Sequence, residues 1–147
     1  MGRSGINKTR LEGYGGKVYC FMSDEDVALA AKEKGTTRAV ASMEKACALE
    51  ERLIFAIGNA PTALIRLYEL IREGKIRPEL VIAVPVGFVN VVQSKELIRS
   101  LEDTPYIVAR GRKGRKQYCR LYLQCIDLYA GQILTLALAY AGQEHLL

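Results

Sequence analysis

The residues best suited to chemistry lie in four short segments: Ser23–Asp26, Gly58–Thr62 (GNAPT), Pro85–Asn90 (PVGFVN) and Arg110–Gly114 (RGRKG). Gly58 lets the backbone approach a ligand closely, Pro61 fixes the turn into a following helix, and Gly87 does the same work between Pro85 and Asn90. A helix N-terminus carries partial positive charge and unsatisfied N–H groups, so GNAPT and PVGFVN are cradles for an anion or carboxylate. The same composition also makes ordinary tight turns between strand and helix. Neither GxGxxG nor GxxxxGK[ST] occurs, which argues against dinucleotide and P-loop nucleotide binding. The one histidine is His145, and Cys20, Cys47, Cys119 and Cys125 have no CxxC spacing. A Cys/His zinc site, a Ser-His-Asp triad and a Cys-His dyad therefore lack their parts. What remains is binding and orientation by amides, hydroxyls and cations.

Those segments need a scaffold that aims them together. Four runs, Lys17–Met22, Arg52–Ile57, Leu80–Val84 and Pro105–Ala109, are too short for helices and too uniformly apolar for half-exposed strands. They are expected to be strands buried on both faces of a parallel sheet. Between them lie helical patterns. Ser23 before Asp24-Glu25-Asp26 reads as a capping box, with the helix running to about Lys34 and stopped by Gly35. Thr36 or Thr37 caps the next, to about Glu51. Pro61 opens a helix to Glu73, stopped by Gly74, and Asn90 with Gln93 opens one ending near Leu101. Alternation of strand and helix predicts an α/β fold: a doubly wound, mostly parallel, three-layer sheet flanked by helices, with right-handed crossovers. In such a sheet ligands bind beyond the carboxyl ends of the strands.

The chain has 147 residues, half of them apolar and a quarter charged, the balance of one soluble globular domain. Net charge is +5, but residues 110–120 hold six Lys/Arg and no acid, leaving 15 basic against 16 acidic groups elsewhere. A generally basic nucleic-acid surface is not supported; a small nucleic-acid or phosphate-binding module would have to use that one patch. Cys20 and Cys47 sit in apolar stretches as reduced thiols, and no apolar leader or run long enough for a bilayer occurs, so a cytoplasmic protein without membrane contact is expected.

FAIGNAPTAL (Phe55–Leu64), VIAVPVGFVNVVQSKE (Val81–Glu96) and ARGRKG (Ala109–Gly114), with SGINKTRL (Ser4–Leu11) and TTRAVASME (Thr36–Glu44) before them in the same order, resemble the precorrin-8X methylmutase family and its cobalt-precorrin-8 counterpart. The resemblance implies an isomerase of cobalamin biosynthesis that needs no cofactor and moves a methyl group from C-11 to C-12 of a corrin precursor. It also implies a homodimer with active sites near the interface, a corrin-precursor substrate and no metal of the protein's own. Such a shift needs the macrocycle held and polarised, ideally by a proton donor, and a substrate fringed with acetates and propionates needs many anion-binding positions. The positions offered are Thr37, Arg38, Gly58, Asn59, Ala60, Thr62, Gly87, Phe88, Ser94, Lys95, Arg112 and Lys113. Arg38 leads them; it stabilises negative charge but cannot donate a proton. Without the resemblance, Arg38 reads as a solvated first-turn residue, Lys95 and Lys113 as surface lysines, and Phe88 as a core or loop-anchoring aromatic.

Three departures shape the expectation. The family's chain begins about a third of its length earlier, in a part that carries its presumed proton-donating histidine, so this chain is expected to be an N-terminally incomplete domain of impaired activity, or a non-catalytic tetrapyrrole binder. Gln93 replaces the family's glutamate before Ser94-Lys95. Beyond Gly114 the likeness is expected to stop, giving a methylmutase-like domain over 1–114 and a divergent tail over 115–147. Codons can be chosen for Arg115–Tyr129 that, read from their second base, give GSNIAASICNALIY, the family's expected ending, which points to a shifted frame. The apolar run Ile133–Ala141 would then be an unpaired, aggregation-prone tail.

Overall fold

Five consecutive buried residues, Leu53–Ile57, have no alternation of polar and apolar positions, and only a strand covered on both faces accommodates such a run. The computed structural model describes residues 13, 17–58, 60–85, 89–109 and 137–141. Its strands are β1 (Lys17–Tyr19), β2 (Leu53–Ile57), β3 (Leu80–Ala83), β4 (Tyr106–Val108) and β5 (Ala137–Ala141), and its helices are α1 (Glu25–Glu33), α2 (Arg38–Cys47), α3 (Pro61–Arg72) and α4 (Val91–Arg99). The sheet order is β1-β5-β2-β3-β4 and every pairing is parallel, the α/β architecture expected from sequence. From β1 to β4 the chain steps in one direction across the sheet; for β5 it reverses, the change of direction on which a doubly wound sheet is built.

Alternate residues of the central strands face one core. Leu53, Phe55 and Ile57 of β2, with Val81 and Ala83 of β3, pack with Val27 of α1, Met43 of α2, Leu64 and Leu67 of α3 and Ile98 of α4. The intervening Ile54, Ala56 and Ile82 are equally buried. Both faces of the centre are thus removed from water, as a parallel sheet requires. At β4 this fails: Tyr106 is exposed and Ile107 and Val108 half-buried, because β4 pairs on one side only among the described residues. The expectation that all four apolar runs are buried on both faces holds for β2 and β3 and is corrected at this edge and at β1, where Lys17 is exposed and Tyr19 half-buried.

Helix ends follow local chemistry, with two revisions. Gly35 and Gly74 take the left-handed conformation at φ 62° and 72°. After α1, Thr36 N–H donates to Ala31 O (2.9 Å) and Gly35 N–H to Lys32 O (3.3 Å); after α3, Lys75 N–H donates to Leu70 O and Gly74 N–H to Ile71 O, both 3.0 Å. This paired closure satisfies carbonyls that the last turn leaves orphaned, and it favours glycine. The first revision concerns the Ser23 capping box. Asp24 is the N-cap of α1 and makes no side-chain cap; its carboxylate instead pairs with Lys45 Nζ at 2.6 Å, beside Asp26 at 2.8 Å, with the ammonium 5.0 Å from the Phe21 ring centre. A tertiary charge-assisted contact has displaced a local one. The second is that α2 ends at Cys47, not Glu51, because the chain must turn into β2.

The largest revision is β5. Ala137–Ala141 is paired on both sides, Leu138 opposite Val18 of β1 and Ile54 of β2, and belongs to the same sheet as residues 17–108. Its Ala-Leu-Ala-Tyr-Ala composition carries little β-branched signal, which hides a central strand from sequence. Leu138→Pro is expected to remove a ladder N–H in mid-sheet and leave its acceptor unpaired, at a cost of about 1–3 kcal/mol, clearly lowering the thermal unfolding midpoint followed by circular dichroism. An unchanged melting curve would return residues 137–141 to the divergent tail expected from sequence.

Candidate functional site

The parallel register fixes where loops emerge. Ile57 is paired with Ala83, and Val84 N–H donates to Ile57 O at 3.0 Å, so Gly58 and Pro85 leave adjacent strands at the same height. Ala109 N–H donates to Ala83 O (3.4 Å), bringing the exit of β4 to the same end. Gly58, Val84 and Pro85 are buried there.

Helix direction brings in Thr37 and Arg38. α2 leads into β2, and α3 leads from β2 into β3, which runs parallel to it, so the two helices run the same way and their N-termini share an end. Thr36, Val40 and Glu44 on one side and Thr62, Ile65, Arg66 and Glu69 on the other line a groove of about 390 Å³. Thr37 is the N-cap of α2: Val40 N–H donates to its Oγ1 at 3.2 Å. Arg38 follows, exposed, with its carbonyl accepting from Ser42 Oγ at 2.7 Å. The starts of α3 and α4 differ, since neither Ala60 nor Asn90 supplies a side-chain cap. Asn90 is also the one non-glycine residue with positive φ (57°) among the described residues. Three helix N-termini thus lie at the carboxyl end of one sheet, two of them without side-chain caps.

Other expected residues go elsewhere. Ser23–Asp26 does not join this end: its carboxylates are held by Lys45 in the last turn of α2, roughly 12 Å along the helix from Thr37 at 1.5 Å per residue. Ser94 is fully buried and its Oγ donates to Val91 O at 2.9 Å, so the hydroxyl is engaged by its own helix. Lys95 is only 1% exposed, which overturns its reading as a surface lysine, and burial pushes its pKa down. Gln93 faces outward. Asn59, Gly87, Phe88, Arg112, Lys113 and His145 lie outside the described residues. Cys20 is buried as expected; Cys47 is half-buried, and burial raises its thiol pKa.

The comparison that decides the family is a match of residues 1–119 to the family model CbiC, precorrin-8X methylmutase. This chain belongs to the precorrin-8X methylmutase family. It is 51% identical over 118 residues to a cobalt-precorrin-8 methylmutase of Leptospira interrogans, covering 76% of this chain and 54% of the relative. It is 45% identical over 135 residues to that of Priestia megaterium, covering 92% and 60%. The crystal structure of precorrin-8X methylmutase from Thermus thermophilus superposes with a TM-score of 0.74 at 33% identity, covering 88% of this chain and 63% of that one. The chain therefore spans somewhat over half the length of the curated relatives it matches. The likeness also runs past Gly114, where it was expected to stop: the family match reaches residue 119, and the Priestia megaterium match covers too much of the chain to end there.

Within this methylmutase-family chain, Glu44 and Arg66 were missed as groove residues. The signal was available, for Glu44 lies one turn beyond Val40, and Arg66 one turn beyond Thr62, on the faces the two helices turn to each other. Glu44 accepts from Lys34 Nζ at 2.6 Å and pairs with Arg66 at 3.1 Å, while Arg66 also pairs with Glu69 at 2.8 Å. The Lys34 hydrogen bond, aided by Arg66, holds the Glu44 carboxyl below the usual glutamate range against the opposing effect of burial. A lowered folded-state pKa gives stability that is present above the unfolded value, near 4.3, and is lost as pH falls through the folded one. Urea midpoints should therefore fall as pH drops from about 5 to 3, and Glu44→Gln should flatten that fall while lowering the midpoint at neutral pH. An identical acid limb in the variant would show that Glu44 does not contribute.

Proposed function

We propose that this chain binds a corrin precursor at the carboxyl end of its sheet and takes part in migration of a methyl group from C-11 to C-12, the isomerisation that gives hydrogenobyrinate or cobyrinate. The observation that carries this reading is the side-by-side exit of Gly58 and Pro85 from paired strands, each followed by a helix whose N-terminus has no side-chain cap. A tetrapyrrole edged with carboxylates needs several donors around one rigid seat, and amides at fixed helix ends supply them without side-chain ordering cost. Thr37, Arg38 and Thr62 stand at the same end, and the exposed Arg38 can reach a peripheral carboxylate.

Methyl migration within a conjugated ring requires orientation and polarisation, both of which a preorganised donor set provides. The relatives in Leptospira interrogans, Priestia megaterium and Methanocaldococcus jannaschii, 45–51% identical, carry the cobalt-precorrin-8 name, whereas the Pseudomonas aeruginosa precorrin-8X methylmutase is 36% identical; this favours the cobalt-bearing substrate. The family reading also carries a homodimer and a cytoplasmic site of action. No helix among the described residues is long and apolar enough to cross a membrane.

Titration with hydrogenobyrinic acid, followed by its visible absorbance, is expected to saturate. Arg38→Ala should weaken that binding about tenfold, the scale of one charge-assisted contact, and leave the melting temperature unchanged. Turnover of precorrin-8X or cobalt-precorrin-8 by the 147-residue chain is expected to lie about 100- to 10,000-fold below that of a full-length relative, since His145 is its one histidine. Absence of any spectral change would overturn the proposal, and turnover at a relative's rate would place the proton donor within these residues.

A further inference from the structure

Among the described residues four large apolar side chains are exposed: Leu29, Val89, Val92 and Tyr106. Tyr106 is engaged, its hydroxyl donating to Arg99 O at 3.3 Å. Leu29 stands alone on α1. Val89 and Val92 differ in lying three residues apart, on either side of Asn90, where the chain turns into α4 at the carboxyl end of the sheet. Val89 is 74% exposed and Val92 43%.

A hydrophobic staple onto α4 is ruled out for Val89 by spacing. An apolar residue just before an N-cap ordinarily packs on the fourth helical residue and fixes the angle at which the chain enters. That partner here is Ser94, which is fully buried and bonded to Val91 O. Val89 has no apolar group to staple. Val92 cannot serve the core either, because Val91, Ser94, Lys95 and Ile98 form the buried face of α4 and Val92 lies off it. The left-handed backbone at Asn90, which asparagine tolerates better than most residues, sets the turn between the two valines.

We infer that Val89 and Val92 form an apolar lip that packs against the ring of the bound corrin precursor, beside the donors that receive its carboxylates. The inference rests on the reading given under Proposed function and adds to it which side chains meet the ring. A corrin has two chemistries, a charged fringe and an apolar body, and amides, hydroxyls and Arg38 answer only the first. Two valines at the rim of the same seat answer the second by leaving water when the ring arrives.

The test uses the full chain and hydrogenobyrinic acid. Val89→Ser and Val92→Ser should each weaken binding about 5- to 10-fold, as expected when part of a valine side chain is no longer withdrawn from water. Leu29→Ser, an equally exposed change on α1, should leave binding unaltered, and Val92→Ile should bind at least as well as the parent. Melting temperatures should stay within a degree or two of the parent, because exposed valines contribute little to the fold. If the parent binds and both serine variants bind equally well, the lip is overturned while the corrin seat stands. If the serine variants lose self-association and keep their corrin affinity, the valines cover a second copy of this chain and the inference is again overturned. A parent that does not bind overturns the seat and the lip together.

Discussion

Because Ile54–Ile57 pair with Leu80–Ala83 in parallel and without slip, the chain leaves both strands at one level and enters two helices side by side. Nearly everything of functional interest hangs on that register. A slip of one residue would turn Phe55 and Val81 out of the core and move Gly58 relative to Pro85. The register is strongly held because both faces of β2 and β3 are buried, so any alternative exposes a row of large apolar side chains. Precision at the loops is thus a by-product of core packing several residues away.

Helix placement adds the second layer. α2 and α3 run alongside each other, so Thr37 and Thr62 arrive at the same end, and Glu44 with Arg66 ties them farther down. α1 runs back between β1 and α2 and is fixed at its start by Lys45, which holds two aspartates and sits over Phe21. Lys45 is therefore structural, although it directly follows the family-like Thr36–Glu44 segment that carries Arg38. Closeness in sequence to a motif does not assign a role; the direction of the side chain does.

Much of this was legible beforehand, for identifiable reasons. The cores of β2 and β3 declared themselves by uniform apolarity, and Gly35, Gly74, Thr37 and Pro61 marked helix ends because each solves a local backbone problem. Legibility failed where tertiary contacts decided the outcome. Asp24 gave up local capping for a distant lysine, and Lys95 lies inside although lysine is ordinarily a surface residue. Ser94, offered as a ligand hydroxyl, is spent on its own helix. β5 was missed for a different reason. Alanine and leucine do not advertise a strand, and its partners come from segments some eighty to one hundred and twenty residues earlier, which no local pattern can reveal.

That last placement reaches into how the molecule is made. Of the described strands, the one wedged between β1 and β2 is the last in chain order, so neither neighbour can complete its ladder until it has been made. Until residues 137–141 emerge, β2 presents an apolar edge with open amides, and β1 has no ladder partner among the described residues. Pairing of such wide sequence separation is slow, and the waiting intermediate is sticky. Completion of this sheet therefore waits on the last of its described strands, and a nascent chain of this kind has reason to depend on chaperone shelter.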